Sequence, residues 1–189
     1  MKKRIAIFAS GSGTNAENFF TYFKNSDTVE VALLASNNST AFALERAKNH
    51  GIHTFVFSRE EFYSTETVTA FLQKEKIDVI VLAGFLWLIP DYLIHTFPER
   101  IINIHPALLP KYGGKGMYGM HVHESVKANN ETVSGITIHL VNEVYDQGRI
   151  LAQEKVELSP SDTPDDIASK VHQLEYDHFP KVVQEYITR

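Results

Sequence analysis

Ile5-Ala6-Ile7-Phe8-Ala9-Ser10-Gly11-Ser12-Gly13-Thr14-Asn15 is a short apolar run closed by a glycine-rich turn. With the helix-compatible stretch Asn15 to Lys24 behind it, the segment reads as a strand buried on both faces, a tight turn and a helix. The same alternation then repeats along the chain. Val29 to Ala35 is a second strand that stops at Ser36-Asn37-Asn38-Ser39-Thr40, and Ala41 to Asn49 is a helix ended by His50-Gly51. Ile52 to Phe57 is a third strand. Ser58 to Lys76 is a longer helix opening on the capping pattern Ser58-Arg59-Glu60-Glu61. Asp78 to Ala83 and Arg100 to Ile104 are the fourth and fifth strands. Strands alternating with helices in this way predict an α/β fold, built of right-handed βαβ units on a mainly parallel twisted sheet with helices on both faces.

After Pro110 the pattern changes. Lys111 to Gly119 carries four glycines and reads as a mobile loop. Gly135 to Val141 alternates Ile136, Ile138 and Leu140 with Thr137 and His139, as a half-covered strand does. Ile150 to Leu158 is another strand, and the turn Asp146-Gln147-Gly148 predicts that the two run antiparallel. Thr163-Pro164-Asp165-Asp166 starts a helix with a cap, a first-turn proline and two acids at the positive end of the dipole. Its apolar stripe is Ile167, Val171, Leu174, Val182 and Tyr186, with Pro180 a kink or break.

The 189 residues suit one domain, and no repeat, low-complexity tract or charge block marks a linker. Hydrophobic residues at 43% and charged residues at 22% are an ordinary globular balance. A formal net charge of −5 argues against a nucleic-acid partner, which needs a basic footprint. The absence of cysteine excludes disulfides, thiolate nucleophiles, zinc ribbons and iron–sulfur sites. The apolar run Val79 to Ile89 is too short to cross a membrane, and the Met1-Lys2-Lys3-Arg4 start leads into too few apolar residues for a signal-peptide core. The setting reads as cytoplasmic.

Three groups of residues could carry chemistry. The loop Ser10 to Asn15, between a strand and a helix, can bring backbone N–H groups close to a phosphate. Gly11, Gly13 and Ala16 also fit a dinucleotide fingerprint, but the second strand ends in Ser36-Asn37-Asn38 and not in the acid that a ribose needs, so no nicotinamide cofactor is expected. In Ile101-Ile102-Asn103-Ile104-His105-Pro106, a carboxamide and an imidazole share one face of a strand end, where they suit the oxyanion and proton transfers of acyl chemistry. Asp146 reads either as a turn residue or as a carboxylate that raises the pKa of His105. His121-Val122-His123-Glu124 has metal-ligand residue types, but on a helix the two histidines diverge, so a loop-to-helix entry is expected and no metal. His50, His53, His95, His172 and His178 read as surface or helix-end residues. His139 could face a cleft or solvent.

The strings Gly11-Ser12-Gly13-Thr14-Asn15, Leu82-Ala83-Gly84-Phe85, Asn103 to Tyr112 and Tyr145-Asp146-Gln147-Gly148 stand in this order and, from about Arg4 to the final helix, the chain resembles the phosphoribosylglycinamide formyltransferases, folate-dependent enzymes of purine synthesis. The resemblance implies one Rossmann-like formyltransferase domain over residues 1–189. It implies transfer of a formyl group from 10-formyltetrahydrofolate, as co-substrate, to the amine of 5-phosphoribosylglycinamide, by a monomer or homodimer. The catalytic trio would be Asn103, polarising the formyl oxygen, His105, the general acid, and Asp146, sustaining the charge of His105. Gly13, Thr14 and Asn15 would hold the substrate phosphate and Glu175 would touch the substrate. Arg59, Leu86, Trp87, Leu88 and Ile89, with Asn103 and the loop Asn142 to Asp146, would form the folate pocket. Trp87 stands where many relatives carry an arginine, and the loop Gly113 to Met120 is longer than in many of them. The alternatives are a formyltetrahydrofolate hydrolase, which uses similar residues, and a non-catalytic nucleotide-binding module.

Overall fold

The computed structural model describes residues 2–189; Met1, the first residue of the short basic start, lies outside them. The elements in chain order are β1 (Lys3–Phe8), α1 (Thr14–Phe23), β2 (Val29–Ser36), α2 (Phe42–Asn49), β3 (His53–Val56), α3 (Arg59–Tyr63), α4 (Thr67–Lys74), β4 (Val79–Leu82), α5 (Asp91–Thr96), β5 (Ile101–His105), α6 (Met120–Ala128), β6 (Val133–Leu140), β7 (Ile150–Glu157) and α7 (Pro164–Ile187). The seven strands form one sheet in the order β3-β2-β1-β4-β5-β6-β7. This is the α/β fold expected from the alternation. By its contacts the chain divides into two compact units, Met1–Ile102 with Gln184–Arg189, and Asn103–Val183.

In the first unit β1 pairs in parallel with both β2 and β4, and β2 in parallel with β3. A strand with neighbours on both edges and helices on both faces has no solvated side, and Ile5 to Ala9 are all fully buried. Each large side chain hidden this way stabilises the fold by about 1.5–3 kcal/mol relative to exposure. Parallel neighbours cannot be joined by a hairpin, so α1 and α2 carry the chain back between strands. Phe8, Phe57, Phe62 and Phe85 meet stacked, edge-on or tilted, with ring centroids 5.0–6.1 Å apart, and fill the core beneath the carboxyl ends of β1 and β4.

The helix expected over Ser58 to Lys76 is two helices. Ser58 caps α3 as predicted, its hydroxyl accepting from the Glu61 amide while the Glu61 carboxylate accepts from the Ser58 amide. The break follows from Thr65, whose hydroxyl donates to the Glu61 carbonyl and accepts from the Thr67 amide, giving the backbone an alternative to a continuous helix. α5 is an added element, a short helix that begins directly after Pro90.

In the second unit β6 and β7 are antiparallel, as the turn before β7 predicted. α7 runs through Pro180 without ending, so of the kink or break expected there the break does not occur. Its buried row is also displaced from the expected stripe: Ile167, Val171, Glu175 and Phe179 are buried at intervals of four residues, whereas Leu174 and Val182 are only half-buried. Glu175 thus occupies a position that periodicity assigns to an apolar side chain.

Gly13 caps α1 with φ +72°, and a Cβ placed there would lie 2.5 Å from the Ala43 Cβ of α2. Left-handed strain and this overlap act together, so Gly13→Ala is expected to lose about 2 kcal/mol or more of stability, read as a lower urea midpoint at unchanged m-value.

Candidate functional site

β5 ends on His105, and strand periodicity turns Asn103 and His105 to the same face. His105 is only 3% exposed. Its Nε2 lies 2.7 Å from the Tyr112 carbonyl oxygen, which can only accept, so Nε2 carries a proton. Its Nδ1 faces Asp146 Oδ2 at 3.6 Å, an ion-pair distance longer than a hydrogen bond. The carboxylate that sequence could not separate from a turn residue therefore stands beside the imidazole. Asp146 adopts φ +56°, its side chain is 11% exposed, and Oδ2 accepts the Gly114 amide at 2.9 Å.

His139 completes the group from β6. It is 2% exposed and faces the cluster, not solvent. Its Nδ1 donates to the Leu140 carbonyl at 2.9 Å, so in the neutral ring Nε2 is an acceptor, and Asn103 Nδ2 donates to it at 3.1 Å. The same Nε2 is 3.6 Å from Asp146 Oδ1. This chain fixes which end of the Asn103 amide is nitrogen and leaves its second hydrogen for a ligand oxygen.

Burial pulls the His105 pKa below its ordinary value, against Asp146 and the Tyr112 carbonyl, which both raise it. The expected upward push from Asp146 exists, but desolvation outweighs it and His105 is neutral at pH 7. For Asp146, burial raises the pKa, and His139, the Gly114 amide and the His105 ring reverse that, so its carboxyl titrates below its ordinary range. Anionic carboxylate beside neutral imidazole is a proton-accepting arrangement.

The expected phosphate loop lies in the first unit. Gly13 is the left-handed cap of α1, with Thr14 and Asn15 in its first turn. The preceding loop is tied down: Ser10 Oγ donates to Asn37 Oδ1 at 2.7 Å and accepts the Leu86 amide at 3.1 Å, while Arg46 Nε donates to the Ser12 carbonyl. The same unit brings Arg59, the first residue of α3, over the rings of Tyr63 and Trp87, at 5.0 and 5.5 Å from their centroids. Tyr63 donates its hydroxyl to the Leu88 carbonyl. Leu86 is 54% exposed, Trp87 and Leu88 half-buried, and Ile89 belongs to the core. In the second unit, Glu175 is 5% exposed on α7, and the loop Asn142 to Asp146 is shaped by Asn142 Oδ1 accepting the Val144 amide. His121 and His123 diverge on α6. The first is exposed beside Glu124, and the second is buried with Nδ1 lacking a hydrogen-bond partner among the described residues.

The sequence reading missed Tyr112, Gly114 and Glu131. Only backbone groups of the first two reach the trio, and no residue-type pattern announces a carbonyl.

The family model for formyl transferases matches residues 3–183, and the chain belongs to that family. Over 188 residues it is 40% identical to the chloroplastic phosphoribosylglycinamide formyltransferase of Arabidopsis thaliana, covering 96% of this chain but 64% of that protein. It thus spans less than two thirds of that relative's length. It is 34% identical to the phosphoribosylglycinamide formyltransferase of Bacillus subtilis, over 98% of this chain and 95% of the relative. The crystal structure of phosphoribosylglycinamide formyltransferase from Bacillus halodurans superposes with a TM-score of 0.88 at 36% identity, covering 99% of this chain and 96% of that one. That of glycinamide ribonucleotide transformylase 1 from Geobacillus kaustophilus gives 0.89 at 32% identity, covering 98% and 99%.

Because the Asp146 charge favours the imidazolium form, Asp146→Asn is expected to lower the His105 pKa further. An NMR titration of the free protein reads this as a midpoint below the ordinary histidine value in wild type and lower still in the variant.

Proposed function

We propose that this chain transfers the formyl group of 10-formyltetrahydrofolate to the amine of 5-phosphoribosylglycinamide in purine synthesis, in a cytoplasmic setting. The observation that carries the reading is the approach of Asp146 to His105 Nδ1 beside an Asn103 amide oriented by His139. The names of the relatives in Arabidopsis and Bacillus subtilis support formyl transfer to the same acceptor.

The amine nitrogen attacks the formyl carbon and the carbonyl π pair moves onto oxygen, giving a tetrahedral oxyanion. Asn103 donates its second amide hydrogen to that oxygen; losing one such donor typically raises a barrier by about 3 kcal/mol. The attacking nitrogen becomes positively charged and gives a proton to the neutral Nδ1 of His105. Asp146 stabilises the imidazolium that forms. His105 then acts as general acid: as the oxygen lone pair reforms the carbonyl, the carbon–N10 bond breaks and N10 takes the proton, leaving tetrahydrofolate and the formylated amide. His105 ends neutral, as it began. Every proton is accounted for without a metal or nicotinamide.

Gly13, Thr14 and Asn15 take the substrate phosphate in this reading, since a helix N-terminus offers free N–H groups and partial positive charge. Glu175 accepts from the substrate. Arg59, Leu86, Trp87, Leu88 and Ile89 of the first unit, and Asn103 and the loop Asn142 to Asp146 of the second, are each assigned to folate binding. The Tyr63 and Trp87 rings, with centroids 5.9 Å apart, lie together against the Arg59 guanidinium, whose N–H groups are assigned to an anionic group of the folate.

His105→Ala is expected to lower kcat by at least about 10²-fold in a folded variant, because a positioned proton donor is lost. The assay follows tetrahydrofolate formation with and without 5-phosphoribosylglycinamide. Product that appears only with the acceptor supports transfer; equal release without it identifies a hydrolase, and wild-type turnover by the folded variant removes His105 from the chemistry.

A further inference from the structure

The catalytic imidazole is fixed by a loop residue whose own side chain points elsewhere. Tyr112 adopts φ +58°, a left-handed conformation that is strained in a residue with a Cβ and persists only where surrounding contacts hold it. Those contacts are present on both sides of its carbonyl. The Tyr112 hydroxyl donates to Glu131 Oε1 at 2.9 Å, and the same oxygen accepts from Lys111 Nζ at 2.8 Å. Two residues on, the Gly114 amide donates to Asp146. Glu131 lies between α6 and β6; hydrogen bonds from Lys111 and Tyr112 hold its carboxyl below the usual range, so it is an anion at neutral pH.

We infer that Glu131, by anchoring the Tyr112 side chain, is a positioning residue that aims the Tyr112 carbonyl at Nε2 and thereby selects the His105 tautomer whose exchangeable site is Nδ1, facing Asp146. A neutral imidazole has two tautomers, and the hydrogen bond made by one nitrogen decides which nitrogen carries the proton. With Nε2–H committed to a carbonyl 2.7 Å away, every proton that His105 gains or loses passes through Nδ1. The other titratable groups bearing on the ring are Asp146 beside Nδ1, His139 from β6 and His123 from α6. His123 has a pKa lowered to about 4, first by burial and then by the neighbouring His172 and His105, so it stays neutral over the range in which His105 works. None of them replaces the carbonyl as an acceptor for Nε2–H.

The activity arm rests on the formyl-transfer reading; the tautomer arm reads the protein alone. Long-range ¹H–¹⁵N spectra of the wild-type chain, taken above the His105 titration, are expected to show protonated Nε2 and bare Nδ1. Glu131→Ala and Tyr112→Phe each remove the anchor, and both are expected to give mixed tautomer signals and to lower kcat about tenfold, with KM for either substrate changed less than about threefold. Glu131→Gln keeps an acceptor oxygen for Tyr112 and is expected to restore both the signal and the turnover. The inference is overturned if wild type carries its proton on Nδ1, if the two anchor variants keep the wild-type tautomer, or if they lose only thermal stability. A wild-type chain that transfers no formyl group overturns the proposed function instead, and the spectra still decide the tautomer.

Discussion

Two imidazoles and a carboxylate packed together out of water are tolerated only if each polar atom finds a partner, because an unpaired buried charge costs several kcal/mol. The end of β5 is arranged around that condition. His105 spends one nitrogen on a backbone carbonyl and turns the other to Asp146; His139 spends one on its neighbour's carbonyl and the other on Asn103. Asp146, the one acid of the trio, takes a backbone amide from the glycine loop. The glycine-rich segment is therefore tied at its start to Glu131 and to Asp146, although its composition alone reads as free loop.

The competition between desolvation and charge sets the resting state of this cluster. Had the carboxylate won, His105 would wait as an imidazolium; burial wins, and the ring is neutral. A neutral ring can receive a proton before it returns one, which suits a reaction in which the nucleophile must shed a proton and the leaving group must gain one. The low dielectric around these groups that depresses the pKa also strengthens each charge–charge interaction once a proton has moved.

Much of this was legible before any coordinates. The βαβ rhythm came from apolar runs broken by capping and glycine signals, and β1, β2 and α2 lie within a residue or two of where those signals put them. The pairing of Asn103 with His105 followed from the two-residue period of a strand. Asp146 was ambiguous because nothing local distinguishes a turn acid from one that meets a buried imidazole, and only the fold carries it 41 positions back along the chain to His105. The double helix where one was expected turned on a single threonine hydroxyl, and the α7 stripe was misplaced because its buried row contains a glutamate, which hydrophobic periodicity cannot count. Tyr112 was invisible for a different reason: its carbonyl is the working group, and every residue has one.

Trp87 is the sole tryptophan of the chain, and it lies under the guanidinium of Arg59 with Phe57, Phe62, Tyr63 and Phe85 around it. The protein therefore carries one indole fluorophore, with the Arg59 cation against its ring. Emission excited at the red edge, where the eight tyrosines do not absorb, reports on that corner, so movement of the arginine registers as an optical signal without a label.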